Sequence, residues 1–146
     1  MWGSVLPLLY HSKTDTVFIV YRQKDGALRE RRIVGGGDPT PAVKATDRAV
    51  IQNAVDSQQP AADVVLDGET LHILFVEQSS RSLYVTRYDG GWQRSKLLVD
   101  GIRGSWIRGS VYARPDGKRV LGYVYDAGSE GGAGMNRFGE LTLSQR

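Results

Sequence analysis

Short runs of strand-forming residues, apolar at successive or alternate positions and bounded by Gly, Asp, Asn and Ser clusters, repeat along the chain. The first four predicted strands are SVLPLLYH, TVFIVYRQ, LRERRIV and AVKAT, joined by SKTD, KDGA and GGGDPTP. An irregular stretch, DRAVIQNAVDSQQPA, follows; for its part from Ala49 to Gln59 a short helical turn is the main rival reading. The strand pattern then restarts with DVVLD, TLHILFVE, SLYVTRY and RSKLLV. After a second irregular stretch, DGIRGSWIRG, it restarts again with SVYAR, RVLGYVYD and RFGELTL.

These restarts are an internal repeat. The second strand of each unit closes on VYR, FVE or VYD, which makes Tyr21, Val76 and Tyr125 equivalent at intervals of about 50 residues. Four-stranded units at a period of roughly 40–50 residues predict an all-β chain of β-propeller blades. The expected blades are 4–48, 62–100 and 109–146, the third lacking a fourth strand. A four-stranded blade has two faces to cover and must stack on neighbours. The apolar sets expected to do so are Val17, Ile19 and Tyr21, then Leu71, Ile73 and Phe75, then Val120, Gly122 and Val124, or the alternate residues of the same strands. Three blades do not close a ring. The chain is therefore expected to be either a piece of a longer protein or a homo-oligomer in which about six blades complete one.

Composition narrows the function classes. Hydrophobic residues at 40% and charged residues at 24% are the balance of a folded globular domain, and 18 glycines without Gly-X-Y periodicity fit many turns. A net charge of +3 with no basic tract longer than Arg31-Arg32 argues against a nucleic-acid partner. No apolar run reaches the roughly 20 residues of a membrane-spanning helix, so no membrane partner is expected. The start, MWGSVLPLLYHSK, lacks a basic leader and carries Pro7, so it does not read as a signal peptide. Without Cys, and with no carboxylate at ligand spacing from His11 or His72, neither a metal nor any other cofactor is expected.

The segment DGETLHILFVEQSSRSLYVTRYDGGW is similar to blades of sialidase-like propellers and their BNR-repeat relatives, and LPLLYHSKTDTVFIVYR and GSVYARPDGKRVLGYVYD match the same opening. The family's Asp box, Ser-x-Asp-x-Gly-x-Thr-Trp, is absent; the equivalent turn, YDGGWQRS, keeps only the Gly and Trp92. The resemblance covers nearly the whole chain and implies a carbohydrate-active propeller that binds or hydrolyses a glycan, in an extracytoplasmic setting. The alternative is a non-enzymatic propeller module for protein or glycan interaction. The resemblance also raises a Tyr nucleophile and an Arg triad for a sialic-acid carboxylate. Tyr123 and Tyr125 read better as core residues, and Arg22, Arg103 and Arg108 match the triad only in residue type.

In a propeller, the loops between blades and those from second to third strand converge on one rim, and here they are the longest and most polar loops. Arg22, Glu77 and Asp126 end equivalent strands and point toward that rim. Glu77, Asp126 and Glu130 are candidate carboxylates for glycoside acid and base work, the alternative being strand-end charges in water. Arg103, Trp106 and Arg108 in GIRGSWIRGS combine an indole for stacking on a sugar with guanidinium forks for carboxylate or sulfate, which suits an anionic glycan; alternatively Trp106 packs between blades. Asn136 and Arg137 complete the candidate binding set beside the Gly-rich loop GSEGGAGMN. A phosphate-binding role for that loop requires a following helix, and the strand-like RFGELTL follows instead. The turns DGGW and GGGDPT on the opposite rim read as tight connections.

Overall fold

The computed structural model describes residues 8–51, 61–68, 70–102, 106–128 and 135–143. Apart from one 3-10 turn at Ser12–Thr14, every regular element there is a β-strand. Sheet 1 contains β1 (Leu9–His11), β2 (Thr16–Arg22), β3 (Leu28–Val34) and β4 (Val43–Lys44). Sheet 2 contains β5 (Ala62–Asp67), β6 (Thr70–Val76), β7 (Leu83–Tyr88) and β8 (Lys96–Val99). Sheet 3 contains β9 (Ile107–Ala113), β10 (Arg119–Asp126) and β11 (Asn136–Thr142). In each sheet the strands lie in chain order and pair antiparallel, and none of the sheets closes on itself. The chain is all-β, as the strand pattern predicts.

Among the described residues the start of β9 departs furthest from expectation. Ile107, Arg108 and Gly109 fall in the irregular stretch by composition, yet they pair with Tyr125, Val124 and Tyr123 and extend β9 by three residues. The length of β10, which offers partners that far, decides the boundary. Of the Ala49–Gln59 segment, Val50 forms an isolated antiparallel bridge to Glu77 rather than a helical turn, and residues 52–60 lie outside the described residues.

Sheet 2 is the middle layer. The continuous apolar run of β6 predicts burial on both faces, and all seven of its residues are buried. Leu71, Ile73 and Phe75 share one face with Tyr84 and Tyr88 of β7. Sheet 1 packs there through Phe18, whose ring lies 6.2 Å from that of Tyr88. The opposite face carries Asp63, Val65, His72 and Leu74. Sheet 3 packs on that side, its Gly109 N–H donating to Asp63 Oδ2 at 2.8 Å and its backbone seated against Leu74 and Val65.

In the two outer sheets the residues that stack are the alternates of the sets named first. Sheet 1 uses Phe18 and Val20 rather than Val17, Ile19 and Tyr21, and sheet 3 uses Leu121, Tyr123 and Tyr125 rather than Val120, Gly122 and Val124. A strand that is apolar on both faces does not reveal which one faces its neighbour.

Backbone hydrogen bonds stitch sheets 1 and 2 along one rim. Val50 N donates to Gly26 O, Ile51 N to Val76 O and Gln78 N to Ala49 O. Gly26 has φ of 86°, and a Cβ there would stand 3.0 Å from Ala49 Cβ, so glycine is what lets the β2–β3 turn meet this segment. Between sheets 2 and 3 the corresponding bond runs from Ile102 N to Arg81 O.

Candidate functional site

The rim residues singled out by sequence are engaged in holding loops. Glu77 is 5% exposed and bends its carboxylate back into its own turn. Ser79 Oγ donates to it at 2.5 Å, Ser80 N at 2.7 Å and Ser80 Oγ at 2.6 Å. Burial pushes this carboxyl up, but the hydrogen bonds from Ser79 and Ser80 outweigh it and hold it down at about 2. A group so readily ionised is a poor general acid near neutral pH. Asp126 accepts from Gly128 N at 2.8 Å across the start of the Gly-rich loop, and its own N–H donates to Trp106 O.

Among the described residues no hydrogen bond or ion pair joins Glu77 to Asp126. Arg22 Nε donates to Val50 O, the residue that bridges to Glu77, so the structure brings Arg22 and Glu77 to one stretch of rim. Trp106 is half-buried and lies outside the contiguous core. Arg108 is exposed and donates to its own Ile107 carbonyl, while its charge acts on Asp63. Asn136 sits across from Asp126 in the β10–β11 ladder, and exposed Arg137 reaches Met135 Sδ at 3.5 Å. Arg103 and Glu130 lie outside the described residues.

The tyrosines and histidines are placed in packing roles. Tyr123 and Tyr125 are both buried with ring centroids 6.2 Å apart, and burial, then the neighbouring Tyr125, raises the Tyr123 phenol above its ordinary value. His72 is buried on the face toward sheet 3, and burial lowers its pKa. His11 Nδ1 and Thr14 Oγ1 are 2.7 Å apart, a contact that closes the β1–β2 turn.

A cleft with ligand-binding chemistry lies elsewhere among the described residues, on the flank between sheets 1 and 2. It is a cleft of about 430 Å³ between Lys44–Asp47 and Trp92–Arg94. That volume falls in the roughly 300–1,000 Å³ range of small-molecule sites. The first wall continues the β3–β4 ladder: Ala45 N donates to Leu28 O, and Leu28 N donates to Thr46 Oγ1 at 3.1 Å. The second wall runs back along β7, with Trp92 bridged to Tyr88 and Gln93 N donating to Arg87 O. Asp47 ties the walls together, accepting from Ser95 Oγ at 2.6 Å and Ser95 N at 3.3 Å.

Trp92 is held from behind by a buried polar cluster. Its Nε1 donates to Glu30 Oε1 at 3.4 Å, and its ring meets Tyr88 edge-on at 5.3 Å. Glu30 is 1% exposed and accepts from Arg32 Nη2 at 2.6 Å and Nε at 2.9 Å. The Arg32 guanidinium lies 4.4 Å over the Tyr88 ring and 5.0 Å over Phe18, and its Nη1 donates to Tyr88 Oη at 3.0 Å. Burial works against the charge on Arg32, and the bonds to Glu30 and Tyr88 outweigh it, raising its pKa. The indole is thus fixed before any ligand arrives, with cations from Lys44 and Arg94 in the same cleft.

Sequence reasoning missed this cleft because DGGW reads as a tight turn. The available signal was Trp92 itself, followed at once by Gln93 and Arg94, opposite a connection that carries Lys44 and Asp47. Among the described residues no cluster of His, Asp and Glu fits a metal ion. No protein-family model matches the chain, and no curated protein matches it.

Proposed function

We propose that the three sheets are successive blades of a sialidase-like β-propeller, and that this chain recognises an anionic glycan rather than hydrolysing one. The observation that carries the reading is the Trp92 cleft, where a pre-positioned indole stands with Lys44 and Arg94 around a cavity of ligand size. An indole offers an apolar face for a pyranose ring, and the two cations suit a carboxylate or sulfate on the same sugar. A side chain already fixed by Glu30 and Tyr88 loses little freedom on binding, which favours affinity.

Two features favour binding over hydrolysis. Glu77 is buried, ionised and saturated with donors, and Asp126 is spent on the loop that follows it. Glycoside hydrolysis by a carboxylate pair needs one group able to hold a proton at working pH. The blade reading is supported by the repeated stacking: the Phe18 and Val20 face of sheet 1 meets the Leu71, Ile73 and Phe75 face of sheet 2, and the opposite face of sheet 2 meets sheet 3.

The test is calorimetric titration of the chain with sulfated and uronic-acid oligosaccharides beside their neutral counterparts. Binding of the acidic sugars is expected, with a loss of at least about tenfold, or about 1.4 kcal/mol, in both Trp92→Ala and Arg94→Glu. Arg94 is exposed, so its replacement leaves the fold intact. Equal affinity of Arg94→Glu and the parent, or no binding to any acidic sugar, overturns the reading.

A further inference from the structure

The outer sheets each leave one apolar face outside the core. On sheet 1, Val17, Ile19, Tyr21 and Ile33 share a face and none belongs to the contiguous core of the described residues. Tyr10, paired with Val17 on that face, is 55% exposed. On sheet 3, Val124 and Tyr112 likewise lie outside the contiguous core, and Phe138, opposite Val124, is 64% exposed, while Val120 at the far end of the same face is already buried. Strands β2 and β10 are apolar on both faces, as is β6, and β6 is the strand that neighbours cover on both sides.

The two open faces are of opposite kind. The second-to-third-strand hairpins close through Gln23 N to Ala27 O, Glu77 N to Ser82 O and Ala127 N to Met135 O, which makes Arg22, Val76 and Asp126 equivalent and corrects the sequence alignment of Val76 with Tyr21 and Tyr125, and of Glu77 with Arg22 and Asp126, by one residue. By that register the faces of Tyr21, Phe75 and Tyr125 are one class and those of Val20, Leu74 and Val124 the other. In both interfaces within the chain, the second class of one sheet packs on the first class of the next. Sheet 3 therefore has its second-class face unused, and sheet 1 its first-class face. Their charges also differ: Arg31 and Arg29, the latter ion-paired to Asp25, flank the apolar strip on sheet 1, whereas sheet 3 presents Asp126, Arg108 and the Arg114–Glu140 ion pair.

We propose that two copies of this chain associate head to tail, the Val124–Phe138 face of each stacking on the Val17–Ile19–Tyr21 face of the other. Two such contacts related by one two-fold axis leave no sheet face open and make six sheets in a closed assembly. The face pairing extends the two interfaces already present in the chain; closure as a ring rests on the blade reading proposed above.

The test is sedimentation velocity and native mass spectrometry of the chain, Ile19→Asp, Phe138→Asp, and an equal mixture of the two variants, with folding followed by circular dichroism. The parent is expected to be a dimer at micromolar concentration, with each variant associating at least tenfold more weakly. The mixture is expected to regain heterodimer, because one of its two contacts then pairs the undamaged face of each variant. Ile19→Thr keeps strand propensity and replaces Ile19→Asp if the latter unfolds.

A monomeric parent at about 100 μM overturns the proposal, as does a Phe138→Asp variant that dimerises like the parent. A ladder of larger oligomers, or a mixture that associates no better than either variant alone, overturns closure at two copies. Titrating the same samples with acidic sugar separates the two readings, since a monomer with Trp92-dependent binding refutes the assembly and leaves the cleft standing.

Discussion

Replacing Arg32 with Met should destabilise this protein more than replacing Glu30 with Gln, although both break the same ion pair. Glu30 is 1% exposed at its side chain and Arg32 27%, so the two partners differ in their access to water. Arg32→Met keeps an apolar stem but strands the Glu30 carboxylate, whose remaining contact in this cluster is Trp92 Nε1 at 3.4 Å. Stranding a buried charge costs about 3–5 kcal/mol. Loss of the guanidinium over Tyr88 and Phe18 adds about 0.5–1 kcal/mol for each ring. Glu30→Gln leaves a neutral acceptor of the same shape and an arginine that recovers solvent, at a cost of about 1–2 kcal/mol.

The expected gap of about 2 kcal/mol or more is a sizeable share of a typical 5–15 kcal/mol domain stability. Urea unfolding at pH 7, followed by circular dichroism and by indole fluorescence, measures it. Neutralising both partners, Arg32→Met with Glu30→Gln, should cost less than the sum of the two single losses, because no charge of the pair is then left stranded. The reasoning is refuted if Glu30→Gln costs as much as Arg32→Met, or if the double variant loses the sum of the two single losses.

Two further outcomes follow from the same packing. Because Glu77 is held at about 2, below the unfolded carboxyl value, its contribution to stability is present above roughly pH 4.5 and fades as pH falls toward 2. Glu77→Gln should therefore lose on the order of 2 kcal/mol at pH 7 and show a flatter stability profile between pH 5 and 2; a profile parallel to the parent's refutes the role of the Ser79 and Ser80 bonds. A Cβ on Gly139 would stand 2.5 Å from the Tyr123 ring, so Gly139→Ala should cost about 1–3 kcal/mol, and Gly139→Ala with Tyr123→Leu should recover part of it; a neutral Gly139→Ala in thermal unfolding refutes the close contact.

The sequence by itself determined the strands, their antiparallel chain-order pairing and the division into three units. These features are local: each hairpin joins strands adjacent in sequence, and Gly and Asp at the turns mark where one strand stops and the next begins. It also determined that the Leu71, Ile73 and Phe75 face of β6 would be covered by a neighbouring sheet. The start of β9 was hidden, because Ile107 and Arg108 are strand residues only by virtue of their partners on β10.

Only the tertiary structure decided which face of each outer sheet packs inward, because β2 and β10 carry apolar side chains on both faces. It also decided the fate of the polar residues. Glu77 and Asp126, which looked poised at a rim, turn back to satisfy their own loops, since a carboxylate withdrawn from water takes the nearest N–H and O–H donors. Trp92 was visible as a single aromatic residue after two glycines, but its neighbours Glu30 and Arg32 lie about 60 residues away in the chain and meet it only when two sheets stack. The cleft beside it depends on long-range contacts of this kind, which strand periodicity does not encode.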